Sequence, residues 1–182
     1  LKSVTVPDSV TEIGDYAFRY CSSLQEFNGK FASEDGRCLI LDDVLRFFAP
    51  AGIIKYTIPD SVTEIGDNAF DSCSSLIGVT IPDSVTEIGY FAFRNCSSLK
   101  SLTIPDNVTK IKDHAFSGCV GELIISSKII ETNYTSSQGW LSGAKFTKLT
   151  IGEGIKRIGD YAFSGCSNLT SITIPDSVSS IG

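Results

Sequence analysis

The chain repeats one pattern of apolar and polar residues about every 23 positions. Its most regular part is the stretch IPDSVTEIG, which stands at residues 58–66 and returns unchanged at residues 81–89. Apolar residues ahead of this stretch alternate with polar ones, as in Leu99, Leu102 and Ile104, and they predict a short strand with one buried face. The proline that follows lacks a backbone donor and ends the strand.

The second half of each unit predicts a turn and a short helical segment. Pro-Asp-Ser favours a turn, because proline presets its own φ and Asp or Ser can bond to the nearby backbone. Val62 and Ile65 are then predicted to point inward. Gly at unit position 14 allows a further turn, and the aspartate after it can cap a helical turn over D-x-A-F-x-x-C.

The period predicts a solenoid. Pro59, Pro82 and Pro105 are each 23 residues apart, and such spacing is typical of coils that bury their apolar faces against their neighbours. We therefore interpret residues 1–182 as a single domain of stacked coils, with two irregular units and an incomplete last one. The units are 1–23, 24–52 (irregular), 53–75, 76–98, 99–121, 122–145 (irregular), 146–168 and 169–182.

Identical side chains recur at two inward positions of the unit. The phenylalanines predict a continuous aromatic stack through the core. The cysteines of stacked coils would point the same way about 4.8 Å apart, whereas a disulfide needs Cβ atoms that face each other, so the cysteines are predicted to be buried free thiols. The chain has no C-x-x-C and a single histidine, His114, which disfavours a zinc site. The recurring phenylalanines are Phe18, Phe70, Phe93, Phe116 and Phe163, and the recurring cysteines are Cys21, Cys73, Cys96, Cys119 and Cys166.

The complete unit, L-x-x-[IV]-T-[IV]-P-D-S-V-T-E-I-G-D-x-A-F-x-x-C-S-S, resembles the repeat of the BspA-like leucine-rich repeat family. The resemblance implies an α/β fold. This would be a right-handed curved leucine-rich repeat solenoid, with a parallel β-sheet on the concave face and short strands and helical turns on the convex side. It also implies a non-enzymatic, extracellular or cell-surface protein that acts in adhesion or host-protein binding. The alternative is a structural spacer with no ligand of its own.

The irregular unit 24–52 predicts a β-hairpin insert. Cys38–Leu41 and Val44–Ala49 have the composition of two strands, and Asp42-Asp43 between them has the length of a two-residue hairpin turn. Phe47 and Phe48 are adjacent, so one of them would point outward from a strand. We favour a hairpin packed on the side of the solenoid over an exposed hydrophobic contact.

The predicted sheet carries a row of threonines on its polar face. Structural reasons alone can account for this row, since threonine favours strands, but solenoids also commonly use their concave surface to bind partners. Lysines flank the row, and the irregular unit 122–145 adds aromatic residues of the kind found at binding hot spots. The candidate partner-binding residues are Thr57, Thr80, Thr103, Thr150, Lys100, Lys148, Tyr134 and Trp140.

Composition and motifs narrow the classes of function. The net charge of −6 argues against nucleic acid as a partner, and no apolar run is long enough to predict a membrane span. No catalytic motif occurs, so neither enzymatic activity nor a cofactor is expected. The repeated aspartates fit turn formation better than a calcium site. The expected partner is a protein or glycan, and end-to-end self-association of the solenoid is also predicted.

Overall fold

The computed structural model describes residues 1–14, 16–132 and 139–182. Within these residues the chain forms fifteen short strands and one short 3₁₀ helix, Lys128–Glu131. The strands are β1 Ser3–Thr5, β2 Glu26–Asn28, β3 Cys38–Leu41, β4 Val44–Phe48, β5 Lys55–Thr57, β6 Glu64–Ile65, β7 Gly78–Thr80, β8 Glu87–Ile88, β9 Ser101–Ile104, β10 Lys110–Ile111, β11 Glu122–Ile125, β12 Lys148–Ile151, β13 Arg157–Ile158, β14 Ser171–Thr173 and β15 Ser180–Ile181.

The coils stack through parallel strands, which confirms the predicted solenoid. A six-stranded sheet has the order β14-β12-β11-β9-β7-β5, and a five-stranded sheet has the order β10-β8-β6-β4-β3. Two further pairs, β1 with β2 and β13 with β15, are also parallel. The register follows the sequence period, since Tyr56 lies opposite Val79, 23 positions later. The curvature and the hand of the solenoid stay predictions.

The expected helical turns are wrong, and the fold is almost entirely β rather than α/β. In the segment 68–73, Asp71 donates to the carbonyl of Asn68 at 3.0 Å, as in a turn. The N–H of Phe70 instead donates to Ala92 of the next coil at 2.7 Å. Because alternate N–H groups point to the neighbouring coil, the consecutive bonds of an α-helix cannot form. We call the equivalent segments 16–21, 68–73, 91–96, 114–119, 139–144 and 161–166 the turn segments.

This alternation depends on left-handed backbone at two places in a turn segment. Asn68 and Ser72 have φ of 60° and 62°, and Phe91 and Asn95 repeat the arrangement one coil later. Asparagine tolerates this conformation better than other non-glycine residues, whereas an aromatic residue rarely adopts it. Phe91 and Tyr161 are therefore held in an unfavourable conformation by the coils around them.

Replacing Tyr161 by asparagine is expected to raise the free energy of unfolding by about 0.5 to 1 kcal/mol. Tyr161 has φ of 58° and is 60% exposed, so the substitution relieves the backbone and removes little buried surface. Tyr90 is also an exposed tyrosine, 45% exposed, and it is not among the described residues of positive φ. Urea denaturation of Y161N and Y90N measures the difference, and an equal effect of both substitutions would contradict the explanation.

The phenylalanine column forms, but its first member does not belong to it. The ring of Phe93 stacks on Phe70 at 5.0 Å between centroids and on Phe116 at 5.7 Å. Phe48 of the insert lies 4.8 Å from Phe70 and extends the column there. Phe18 instead packs in a separate small core with Phe27 and Phe47 of the insert unit. The insert therefore divides the predicted continuous stack.

The cysteine column consists of free thiols that are buried in its central part. Cys73, Cys96 and Cys119 are buried, while Cys21 and Cys166 are half-buried. The Sγ of Cys96 donates to the carbonyl of Phe70 at 3.2 Å, and the Sγ of Cys119 donates to Phe93 at 2.9 Å. Hydrogen bonding to Cys119 and burial raise the pKa of Cys96 far above its usual value. These thiols act as small core residues and link successive coils.

In the insert, β3 and β4 lie antiparallel and are joined by Asp42 and Asp43, with φ of 50° and 61°. These values suit a two-residue turn whose twist matches the strands. β4 also pairs in parallel with β6, so the hairpin becomes part of the solenoid wall. Phe47 and Phe48 are both buried, and neither forms an exposed contact.

Hydrogen bonds connect Asp35, which precedes the hairpin, and Cys38, its first residue, to Tyr56 in the six-stranded sheet. The Sγ of Cys38 donates to the hydroxyl of Tyr56 at 3.2 Å, and that hydroxyl donates to Asp35 at 3.4 Å. Burial raises the pKa of the Cys38 thiol to about 12, so it stays protonated and can donate. On the other side, the backbone N–H of Phe27 in β2 donates to the carbonyl of Gly36 at 2.7 Å. Residues 33–37 thus lie between β2 and β5, which explains why β2 is not part of the six-stranded sheet.

Two arginines hold Asp71 on the turn side. Its side chain is only 2% exposed and contacts Arg94 and, at 3.1 Å, the Nε of Arg19. Burial alone would raise the pKa of Asp71, but the hydrogen bonds and charges of Arg94 and Arg19 outweigh burial and hold the pKa below its ordinary value. The contact with Arg19 joins residues 52 positions apart, which brings the first and second turn segments together.

Candidate partner-binding face

The six-stranded sheet exposes one side of each strand because its residues alternate. Tyr56, Val79, Leu102 and Leu149 are buried at the centre of their strands, and the residues on either side of them are directed away from the core. Alternate residues of a strand point to opposite faces, so the exposed residues share one surface. We call this surface the threonine face. It consists of Lys55, Thr57, Gly78, Thr80, Ser101, Thr103, Glu122, Ile124, Lys148, Thr150, Ser171 and Thr173.

The threonine row forms at the predicted positions but is interrupted. Thr57 lies opposite Thr80, and both are exposed, as is Thr103. Between Thr103 and Thr150 the register places Ile124 of β11. The predicted row omitted this residue because the unit 122–145 does not carry the motif. The face therefore has a hydroxyl-rich part of three threonines and a second part beyond a half-buried aliphatic residue.

The second part of the face is organised by Glu122, which sequence reasoning missed. Its Oε1 accepts from the Nζ of Lys148 at 2.9 Å and from the hydroxyl of Thr150 at 2.7 Å. These hydrogen bonds lower the pKa of Glu122, the one from Thr150 being the stronger cause. Glu122 thus brings together two of the predicted residues, Lys148 and Thr150. The alignment of ELII, residues 122–125, with KLTI, residues 148–151, was the signal that could have found it.

A shallow open groove runs across the hydroxyl-rich part. It has a volume of about 540 Å³ and is lined by Lys55, Thr57, Thr80, Thr103 and other residues of β5, β7 and β9. Gly78 has no side chain, and a Cβ built there would still lie 3.8 Å from its nearest neighbour, Lys55. The floor of the groove is therefore open at its centre, with a lysine at one edge and hydroxyls along the other.

Two further predicted residues, Lys100 and Trp140, do not join the threonine face. Lys100 is exposed but precedes β9, where its carbonyl accepts from Glu122 N–H at 3.0 Å. Trp140 is only 1% exposed and packs edge-on against Phe116 at 5.8 Å, so its prediction as a surface contact is wrong. The structure buries the large ring of Trp140 in the core instead of exposing it to a partner. Tyr134 lies outside the described residues.

Asp67, one of the repeated aspartates, has structural partners in the following coils. The Oδ1 of Asp67 accepts from the N–H of Tyr90, the first residue after Gly89 in the next coil, at 2.8 Å. It also lies 3.4 Å from the Nζ of Lys112. Asp67 therefore links two coils rather than capping its own segment. In the part of the chain that the structure describes, no group of three or more histidine, cysteine, aspartate or glutamate side chains is placed to hold a metal ion.

Comparison with known families decides the identity of the repeat. The sequence signature of the BspA type leucine rich repeat region matches six copies, over residues 1–34, 45–140 and 137–182. The chain belongs to the BspA-type leucine-rich repeat family. Members of this kind are in general non-enzymatic scaffolds for protein interaction. No curated protein matches the chain significantly.

Solved structures that resemble this BspA-type chain are leucine-rich repeat proteins from bacteria. One from Eubacterium ventriosum is 24% identical, with a TM-score of 0.71 over 96% of this chain and 49% of that one. This likeness concerns the fold. A leucine rich cell surface protein from Faecalibacterium prausnitzii is 30% identical, with a TM-score of 0.47 over 85% of this chain and 45% of that one. The BspA-type chain thus spans about half the length of these two proteins.

No helix within the described residues combines the length and the apolar character needed to cross a membrane.

Proposed function

We propose that the chain is a non-enzymatic interaction module, surface-displayed or secreted, that binds a protein or glycan ligand through the threonine face in adhesion or host-protein binding. The observation that carries this proposal is the continuous exposure of Thr57, Thr80 and Thr103 beside a groove of about 540 Å³. The family supports it, because leucine-rich repeats generally mediate protein interaction. The surface location is taken from the same family resemblance.

The chemistry of the face favours a polar, extended ligand. Threonine hydroxyls both donate and accept hydrogen bonds, and Lys55 adds a positive charge at one edge of the groove. The open shape suits a ligand that lies along the sheet rather than a small molecule that is enclosed. Glu122 and Lys148 already form an ion pair, so their charges offset each other. They would orient the ligand rather than add net charge to the face.

Direct binding of the purified chain to a panel of extracellular-matrix proteins and glycans, at low and high salt, tests the proposal. A saturable signal that persists at high salt is expected, because hydrogen bonds to hydroxyls depend less on screening than surface charges do. A negative result over the whole panel would contradict the proposal and favour the structural spacer.

Glutamates in the threonine row are expected to weaken binding to the ligand found in this panel by at least about tenfold, because each places an unpaired charge in the interface. The variant is Thr80→Glu with Thr103→Glu. The chain offers a control, since Thr86 and Thr109 are also exposed threonines, located outside the threonine face immediately before β8 and β10. Thr86→Glu with Thr109→Glu should leave the dissociation constant within about twofold, and an equal loss in both variants would show that the site is elsewhere.

A further inference from the structure

A separate cavity lies where the first and second turn segments meet. It has a volume of about 170 Å³ and is lined by the aromatic rings of Phe18, Phe47 and Phe48, together with Cys21 and Cys73. None of its lining residues belongs to the threonine face. The cavity is therefore independent of the surface on which the proposed function rests.

The insert creates this cavity because it copies a turn segment only in part. Phe48 takes the place of a column phenylalanine, with its ring 4.8 Å from that of Phe70. Its N–H donates to the carbonyl of Ala69 at 3.1 Å, as Phe70 donates to Ala92 in the regular coils. After Phe48 the insert leaves the turn path, so the space that a complete turn segment would fill stays open.

Pro50 leaves the backbone carbonyl of Asp71 without a coil-to-coil partner. Pro50 follows Phe48 by two residues, the place that Ser72 has in the next coil, where its N–H donates to Arg94 at 2.7 Å. Proline has no N–H to donate. Among the described residues, the carbonyl of Asp71 accepts no hydrogen bond and the N–H of Tyr20 donates none. Asp71 and Tyr20 both line the cavity.

The walls define the chemistry of an occupant. The aromatic rings offer apolar surface, and an apolar cavity of about 150 Å³ is large enough for a benzene ring. The carboxylate of Asp71 is already paired with Arg19 and Arg94, so it is not free to pair with a cationic ligand. The free carbonyl of Asp71 suits one hydrogen-bond donor.

We propose that this cavity binds one neutral aromatic ring with a single hydrogen-bond donor, such as indole or phenol. The ring would pack among Phe18, Phe47 and Phe48, and its donor would bond to the carbonyl of Asp71. The 3.1 Å contact between Arg19 and Asp71 joins the two turn segments beside the cavity. A volume of about 170 Å³ is enough for one ring, and the proposed occupant is therefore a free small molecule rather than a larger segment of a folded partner.

Titration of the chain with indole, followed by two-dimensional NMR, tests the proposal. Saturable shifts are expected, with intermolecular nuclear Overhauser effects between the indole protons and the rings of Phe47 and Phe48. Toluene has a similar ring but no donor, and it should bind at least about threefold more weakly if the Asp71 carbonyl accepts a hydrogen bond. No saturation up to the solubility limit, or Overhauser effects to residues elsewhere, would overturn the proposal.

Two cysteine variants provide a matched pair, because Cys21 and Cys166 are both half-buried at the same unit position. Cys21→Phe places a ring in the cavity and is expected to weaken indole binding at least tenfold, whereas Cys166→Phe should leave it within twofold. Equal effects of the two variants would count against the site. Where Cys21→Phe does not fold, the Overhauser contacts of the unmodified chain decide. A tryptophan-containing peptide that binds more tightly than indole would assign the cavity to a partner's side chain and overturn the small-molecule proposal.

Discussion

Replacing Phe93 by alanine is expected to lower the free energy of unfolding by about 3 to 5 kcal/mol. Phe93 is fully buried, and its ring stacks on Phe70 and on Phe116. The substitution removes the ring and leaves a cavity between two coils that cannot close without moving both. Because each coil contacts only its neighbours, this loss also weakens the coupling between the two halves of the array.

Phe163 provides the control for this prediction, since it has the same position in its repeat unit but is only partly buried. Phe163→Ala should cost about half as much as Phe93→Ala, because less apolar surface leaves water on folding. Urea denaturation followed by circular dichroism measures both. A loss at Phe163 as large as that at Phe93 would show that the rings contribute through local turn structure and not through the stack.

Replacing Asp71 by alanine is expected to cost about 3 kcal/mol, the lower end of the range for breaking a buried ion pair. The Asp71 carboxylate is nearly inaccessible, and its removal leaves Arg19 and Arg94 facing each other without a counter-charge. Both arginines keep some contact with water, which moderates the loss. Asp106→Ala is the control, because Asp106 is exposed, and a change within about 0.5 kcal/mol is expected there.

The same ion pairs predict a pH dependence. The pKa of Asp71 is lowered in the folded chain, so its contribution to stability is complete above the ordinary aspartate value of about 3.9. The contribution is lost as the pH falls from that value toward the lowered folded-state pKa. The difference in unfolding free energy between the unmodified chain and D71A should therefore be constant from pH 5 to 7 and shrink in stronger acid, at about pH 3 and below. A constant difference over the whole range would contradict the assignment.

The regular coils could be predicted from the sequence because each inward position recurs unchanged. Val62, Ile65 and Phe93 repeat their neighbours' chemistry, so the pattern itself predicts parallel stacking. The turn segments could not be predicted in the same way. The pattern D-x-A-F-x-x-C favours a helical turn locally, and only the adjacent coil shows that alternate N–H groups have closer acceptors there.

Most of the other features that could not be predicted lie in the irregular units. Trp140 belongs to the segment GWLSGA, residues 139–144, which shares its backbone contacts with HAFSGC, residues 114–119. His114 donates to the carbonyl of Gly139, and Gly118 donates to Gly143. The common S-G spacing was a signal for this alignment, and it would have placed Trp140 inside rather than on a loop. Glu122 and Ile124 were missed for the same reason, since their unit lacks the proline motif.

Chemical modification of the column thiols would report where and when the coils of the chain separate. The sulfurs of Cys96 and Cys119 lie against the backbone of the preceding coil, as Cys96 does against Phe70, and a reagent can reach them only after two coils separate. The half-buried Cys21 and Cys166 stand at the two ends of this column. Chemical modification would thus proceed inward from both ends, and the order in which the sulfurs react would give the sequence in which the array unwinds.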